Sequence, residues 1–512
     1  MDIYTHTQTH IYVYVNLLKF KTHKKFKQLS MFPISFAINH VLIKHILYYN
    51  LKRLRIMSSS CFLRPLPLSM LLLISFSLVY LVFDAYSVYK IPFRLLPRKT
   101  EHDRNRDYSR WPTYKHMNFN NEWFKLHCWN NEKISISNLY SVLKTLKMSS
   151  LSECRELYDR ISSIFSVTQR SGQLVLPSPF VVKVRKWLGG NPSLFEEAKY
   201  QHITLSFNEY TRDNTMFNPL RSKRPLQKPN QPQREYVEKL SEKTGQNCDF
   251  CKYSNFTAED LFGRIESKHS FTAANAFKYD AWHALVITRN HHPLKWSEDI
   301  FLDCMKVARE WYDKVHSVDI RYKLPTLLWD LLPHASASQV HPHMHINLLP
   351  DRYYGVIENW RIAAEHFSND YPDRNYFSEV LYIHSMLDLA FHYKTAAAFA
   401  NITPKKDNEI VVLGEAPNDD FFKLLYYVLR AYIDDMEKLC FSMAIAFPSI
   451  LKEDVTGRLP VYARLISRGT VGEVRSDISS LELFAASNVN VDPFQVATKV
   501  RNFVAKMTSA KS

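Results

Sequence analysis

Twice in this chain an asparagine is followed, after seven intervening residues, by a short apolar run, then a helical segment, then a second strand. Asn275 precedes His283-Ala-Leu-Val-Ile-Thr288, a helix with Ser297 as N-cap and Glu298 and Asp299 in its first turn that reaches to about His316, and a strand over Val340–Ile346. Asn401 precedes Glu409-Ile-Val-Val-Leu413, a helix from about Asp420 to Met443, and a strand near Val461–Ser467. The shared spacing predicts an internal duplication of a strand–helix–strand unit, and hence a chain built as two related halves. Two unrelated units with loops of similar length are the other reading of the same pattern.

The 512 residues are enough for several domains, and 46% hydrophobic content excludes a disordered chain. With only 10 glycines, the Gly-rich loops that cradle phosphate in many nucleotide-binding folds are not expected. The net charge of +16 suggests a polyanionic partner until it is located. Residues 1–56 carry +8, Arg64 adds +1 and residues 84–115 carry +4, so residues 116–512 retain only +3. No nucleic-acid partner is expected on that distribution.

Leu66–Phe83 is a run of 18 residues without a charge, about 27 Å as a helix, which predicts a single transmembrane anchor near the N-terminus. A cleavable signal peptide ending near Ala85-Tyr86-Ser87 is the alternative. Lys52, Arg53, Arg55 and Arg64 before the run are matched by Lys90, Arg94, Arg98 and Lys99 after it, so charge does not choose the side of the membrane. Residues 1–56 are expected to be an unstructured leader, 84–115 a basic stalk, and 116–210 a mainly helical accessory region, from apolar spacing such as Leu139, Val142, Leu143 and Leu146. Pro225–Arg234 reads as an exposed connection. The seven cysteines, odd in number and scattered, do not suggest a disulfide framework, and the sequons at Asn255 and Asn401 are no more than chance supplies.

Candidate chemistry centres on Val340-His341-Pro-His343-Met-His345-Ile346. In a strand the three imidazoles share one face, an arrangement packing alone rarely produces; a solvent-facing polar strand is the bland alternative. Cys248-Asp-Phe-Cys251 has zinc-ligand spacing but lacks a second such pair, so two histidines would have to complete a tetrahedron. By itself the pair fits a redox or buried-thiol role equally well.

The set Ser338-x-x-His341-Pro-His343-x-His345 resembles the histidine-triad superfamily, and with the upstream Cys-x-x-Cys it looks like the galactose-1-phosphate uridylyltransferase branch. Asn218-Pro-Leu-Arg221-Ser-Lys-Arg224-Pro225 is similar to two N-terminal motifs of that branch run together, Asn275–Ile287 to its nucleoside-facing strands, and Glu482–Val500 to its closing segment. The resemblance covers about residues 205–510. It implies an α+β fold of duplicated HIT-like α/β units with antiparallel sheets, a catalytic half over 211–350 and a second half over 351–512 that pair as an intramolecular pseudo-dimer.

It also implies His343 as a nucleophile that takes up a nucleotidyl group, with His345 and Ser338 beside it. Arg221, Arg224 and Asn275 would contact substrate, and Cys248, Cys251, His292 and His341 would bind zinc. The arginines would neutralise phosphate oxygens, although a solvated basic patch explains them as well. A neutral imidazole is a competent nucleophile near pH 7 once its other nitrogen has an acceptor, which a backbone carbonyl can provide.

Three positions depart from the branch. His345 replaces a Gln, as in the superfamily's hydrolases; Ser336 replaces a Gly; and Tyr462-Ala-Arg464 replaces a second metal-binding His-x-His, so no second metal is expected and the second half should be catalytically silent. The expected activity is nucleotidyl transfer from a nucleotide sugar or dinucleoside polyphosphate to phosphate, a sugar phosphate or water. The alternative is a non-catalytic, membrane-anchored nucleotide-binding module that keeps the zinc site. A nucleic-acid repair hydrolase is disfavoured by the near-neutral 116–512 region.

Overall fold

The computed structural model describes residues 119–223, 231–451, 459–473 and 477–510. The segments expected as leader (1–56), anchor (66–83) and stalk (84–115) fall outside them, as does Arg224. No helix among the described residues is long and apolar enough to cross a membrane.

The chain is α+β. Its main sheet has nine strands in the order β4-β5-β7-β6-β11-β12-β10-β9-β8, every neighbouring pair antiparallel. The first half contributes β4 (Ser270–Ala274), β5 (His283–Thr288), β6 (Leu324–Leu331) and β7 (His343–Leu349). The second contributes β9 (Ala396–Ala400), β10 (Ile410–Gly414), β11 (Phe441–Ala446) and β12 (Val461–Ser467), with β8 (Ala390–Tyr393) added at the edge. Read inward from its own outer strand, each half runs first, second, fourth, third. The halves meet where β6 pairs with β11, Leu331 opposite Phe441.

The repeated unit is therefore strand–strand–helix–strand–strand, two strands richer than the spacing predicts. The helix of the first copy, α7 (Glu298–Val318), is capped by the Ser297 side chain and buries Phe301, Cys304, Met305, Ala308, Trp311, Tyr312 and Val315, a stripe at helical period. Its counterpart, α10 (Asp419–Arg430), ends well short of Met443. A π turn follows over Ala431–Asp435, Glu437 takes a positive φ, and the chain re-enters the sheet as β11. All six residues of β5 are buried, which is why it reads as an unbroken apolar run.

The region before the repeat carries α1 (Asn121–Cys128), α2 (Leu139–Met148), α3 (Ser152–Ser162), α4 (Ser178–Trp187) and α5 (Pro192–Lys199). It also holds two nine-residue strands that helical spacing does not foresee, β1 (Phe165–Gln173) and β2 (Tyr200–Asn208). With β3 (Asn214–Phe217) and β13 (Ala486–Val489) they form a separate sheet of four strands, where β3 and β13 pair parallel. Cys128 and Cys154 form a disulfide joining the end of α1 to the start of α3, a single bridge that the scattered cysteine spacing does not foretell. Of the expected connection at Pro225–Arg234, Gln233 and Arg234 already belong to α6 (Gln233–Gly245).

Candidate active site and metal centre

Four potential ligands converge at one end of β7. Cys248 and Cys251 lie just beyond α6, His291 in the loop after β5, and His341 two residues before β7. His291 Nδ1 is 3.3 Å from His341 Nδ1, and the sulfurs lie 3.4 Å (Cys248) and 3.6 Å (Cys251) from His341 Nδ1; Cys251 is 3.5 Å from His291 Nδ1. A tetrahedral zinc with bonds of about 2.3 Å to sulfur and about 2.0 Å to nitrogen requires S···N edges of about 3.6 Å and an N···N edge of about 3.3 Å. The residues fit such an ion.

The hydrogen bonds behind the rings agree. His341 Nε2 donates to the Thr288 carbonyl at 2.6 Å and His291 Nε2 to the Ser241 carbonyl at 3.1 Å, which leaves each Nδ1 lone pair facing the cluster. Burial pushes His341 down to about 4 and lowers His291, so both are neutral ligands at pH 7. Desolvation and the neighbouring Cys248 raise the Cys251 thiol to about 11, so a cation is needed to make that thiolate.

His292, expected as the fourth ligand, is not one. Its Nε2 is 2.9 Å from Glu238 and its Nδ1 accepts the Leu294 N–H at 3.1 Å. Only His291 of the pair faces the cysteines, its Nδ1 lying 3.5 Å from the Cys251 sulfur.

His343 is the first residue of β7 and only 4% exposed; His341 is 1% exposed. These two figures remove the solvent-facing alternative for the histidine strand. His343 Nδ1 donates to the His341 carbonyl at 2.8 Å, leaving its Nε2 lone pair free. Burial lowers its pKa, so the ring is neutral at pH 7. Next on the same face, His345 Nδ1 lies 2.9 Å from His283 Nε2, while His283 Nδ1 accepts the Tyr279 backbone N–H at 3.0 Å. That N–H can only donate, so the proton of His283 sits on Nε2, His345 accepts it at Nδ1, and His345 presents an Nε2–H donor. Burial holds both rings neutral, His283 at about 4 and His345 at about 3.

Of the expected substrate contacts, Asn275 joins this group: its Nδ2 is 3.4 Å from His283 Nε2 and its Oδ1 accepts the Phe277 N–H. Ser338 is exposed in the β6–β7 loop and makes no hydrogen bond with any described residue. Arg221 lines a separate cavity of about 260 Å³ with Leu174, Phe180, Val184 and Trp187, away from the histidines. His283, Tyr279 and His291 were not singled out from the sequence. The one signal for His283 is its fixed distance after Asn275.

Ser336, standing where the related motif has glycine, has φ +82° in the left-handed region. The loop keeps a glycine-like path at the expense of strain. Ser336→Gly is expected to raise stability by about 0.5–1 kcal/mol, read as a higher urea midpoint at unchanged m.

The second half repeats the layout with different chemistry. His345 pairs with Leu285, two residues after His283; Arg464 pairs with Val411, two residues after Glu409. By the same register Tyr462 stands where His343 stands, and Asn401 holds the Thr403 N–H as Asn275 holds that of Phe277. Glu409 and Arg464 form a buried ion pair at 2.6 Å. Trp360 of α8 (Gly355–Asp370) stacks on Tyr462 at 4.9 Å and donates to Asp213. Glu409→Ala would strand the Arg464 charge in the interior and is expected to cost about 3–5 kcal/mol, measured by chemical denaturation.

No family model matches the chain, and no curated protein sequence matches it. Among solved structures it is similar to an ADP-glucose phosphorylase from Arabidopsis thaliana with bound ADP-glucose, at 14% identity over 57% of this chain and 95% of that one, TM-score 0.43. It is also similar to a GalT-like protein from Arabidopsis thaliana, at 14% identity over 50% and 92% of the two chains, TM-score 0.41. A third similarity is to a yeast Ap4A phosphorylase in complex with Ap4A, at 12% identity over 62% and 95%, TM-score 0.26.

Proposed function

We propose that this chain is a nucleotidyl-transfer enzyme acting on a nucleotide sugar or dinucleoside polyphosphate through a nucleotidyl-His343 intermediate. The observation that carries it is the pairing of His343 Nδ1 with the His341 carbonyl, which fixes a neutral ring whose lone pair is on Nε2. His343 Nε2 attacks the α-phosphorus, the N–P bond forms, and the bond to the sugar phosphate or nucleotide leaving group breaks. Phosphate, a sugar phosphate or water then attacks the same phosphorus and releases the histidine. The His345 Nε2–H is placed to hydrogen-bond a phosphoryl oxygen as its charge builds.

Cys248, Cys251, His291 and His341 would hold zinc, which as an ion closed by four protein ligands supplies rigidity. His341 then has two tasks: its ring is tied to the cluster and its carbonyl orients His343. The expected membrane attachment through residues 66–83 belongs to the same proposal.

The second reading, a non-catalytic nucleotide-binding module retaining the zinc site, draws on Arg221 lining another cavity and on the exposure of Ser338. Incubation with nucleotide sugars and dinucleoside polyphosphates labelled at the α-phosphate, followed by denaturation, separates the two. Retention of an acid-labile, base-stable label supports the enzyme; a protein that binds these compounds and retains none is a module. Product analysis with and without phosphate assigns the acceptor.

A further inference from the structure

The Cys128–Cys154 cystine has no part in the chemistry at His343. Both residues are buried, at 5% and 0% exposure, with Cα atoms 5.7 Å apart. The bridge spans 26 residues, and closing that loop removes entropy from the unfolded chain. Cystines of this kind persist where thiols are oxidised and are rare where glutathione keeps them reduced. The other described cysteines are two in the metal cluster and the buried Cys304 and Cys440.

The two sequons have opposite fates in the fold. Asn255, in Asn255-Phe256-Thr257, is exposed on the short helical turn Tyr253–Phe256. Asn401 is 4% exposed, and its Oδ1 is engaged by the Thr403 N–H. A surface asparagine has room for an oligosaccharide; an enclosed one has none.

We propose that the folded part of this chain matures in an oxidising secretory compartment, where Cys128 and Cys154 are joined and Asn255, but not Asn401, carries an N-linked glycan. The two thiols lose two protons and two electrons to the disulfide of an exchange oxidoreductase, which is reduced to its dithiol. The Asn255 Nδ2 attacks the anomeric carbon of a lipid-diphosphate-linked oligosaccharide. The new N–C bond forms, the C–O bond to the lipid diphosphate breaks, and Nδ2 loses a proton. With residues 66–83 as the anchor, everything after them lies on the lumenal or extracellular side, the choice that flanking charge leaves open.

The test is expression of the full chain in cultured eukaryotic cells, with digestion by an N-glycosidase and peptide mapping without reductant. The expected result is a glycosidase-sensitive shift of one glycan, lost in Asn255→Gln and kept in both Thr257→Ser and Asn401→Gln, together with a cross-linked Cys128–Cys154 peptide. Thr257→Ser preserves the sequon with minimal change, so a folding defect in Asn255→Gln cannot imitate the result. A parent chain with unmodified Asn255, or with Cys128 and Cys154 open to alkylation in the denatured, unreduced protein, overturns the proposal.

Discussion

His343→Ala is expected to abolish turnover, by about 10⁴-fold or more in kcat, while nucleotide affinity changes only a few-fold. The reasoning is positional. His343 is the one imidazole of the strand whose Nδ1 is held by a backbone carbonyl and whose Nε2 has no partner among the described residues. Its neighbours are committed elsewhere, His341 to the metal cluster and His345 to His283. Removing the nucleophile takes away the covalent step, which no neighbour can supply. His345→Ala removes only a hydrogen-bond donor and should lower kcat by about 10²–10³-fold, the range seen when one donor to a developing oxyanion is lost. Single-turnover assays with trapping of the labelled enzyme distinguish these effects: His343→Ala forms no adduct, and His345→Ala forms it slowly. An unchanged rate of cleavage in His343→Ala would show that the mechanism is wrong.

Loss of the metal is the second large effect. Cys248→Ser or prolonged chelation should release one equivalent of zinc per chain and lower the melting temperature by about 8 °C or more, taking a loss of at least about 4 kcal/mol at roughly 2 °C per kcal/mol for a large domain. The four ligands come from three segments, the turn after α6, the loop after β5 and the approach to β7, and the ion is what would tie these together. Activity should fall with the metal, because the His341 carbonyl that orients His343 belongs to a residue whose ring faces the Cys–His cluster. His292→Ala is the control, expected to retain a full equivalent of zinc because that ring faces Glu238. Loss of zinc from His292→Ala but not from His291→Ala would reverse the ligand assignment.

Much of the site could be read from residue spacing, and the rest could not for identifiable reasons. His341, His343, Cys248 and Cys251 could be picked out as candidates because nucleophilic and metal-binding chemistry calls for those residue types at close intervals. The choice of His291 over His292 depends on which way the chain faces as it leaves β5, a single-residue phase that spacing does not carry. Arg221 was drawn in by a motif, but the chain folds that segment against α4 and α5.

Apolar alternation is weak in β1 because most of its side chains are exposed or half-exposed, and in β2 because its buried positions, Thr204, Ser206 and Asn208, are polar. β6 contains Pro325, and β11 follows so closely on α10 and its π turn that one long helix seemed continuous. The Tyr279–His283–His345 relay depends on contacts across strands. The disulfide depends on two helices meeting, which a separation of 26 residues does not disclose.

The seam where β6 pairs with β11 also bears on how such a molecule can change. In a dimer of identical subunits every substitution is imposed on both sites at once, so neither can drift without the other. Here the two sites are encoded separately, yet the sheet runs through the seam unbroken. Glu409, Tyr462 and Arg464 could therefore take the places of imidazoles in one half without touching His283, His343 or His345 in the other. On the proposed function, only the half that carries His343 would hold a nucleotide covalently. Nucleotide labelling should accordingly saturate at one equivalent per polypeptide.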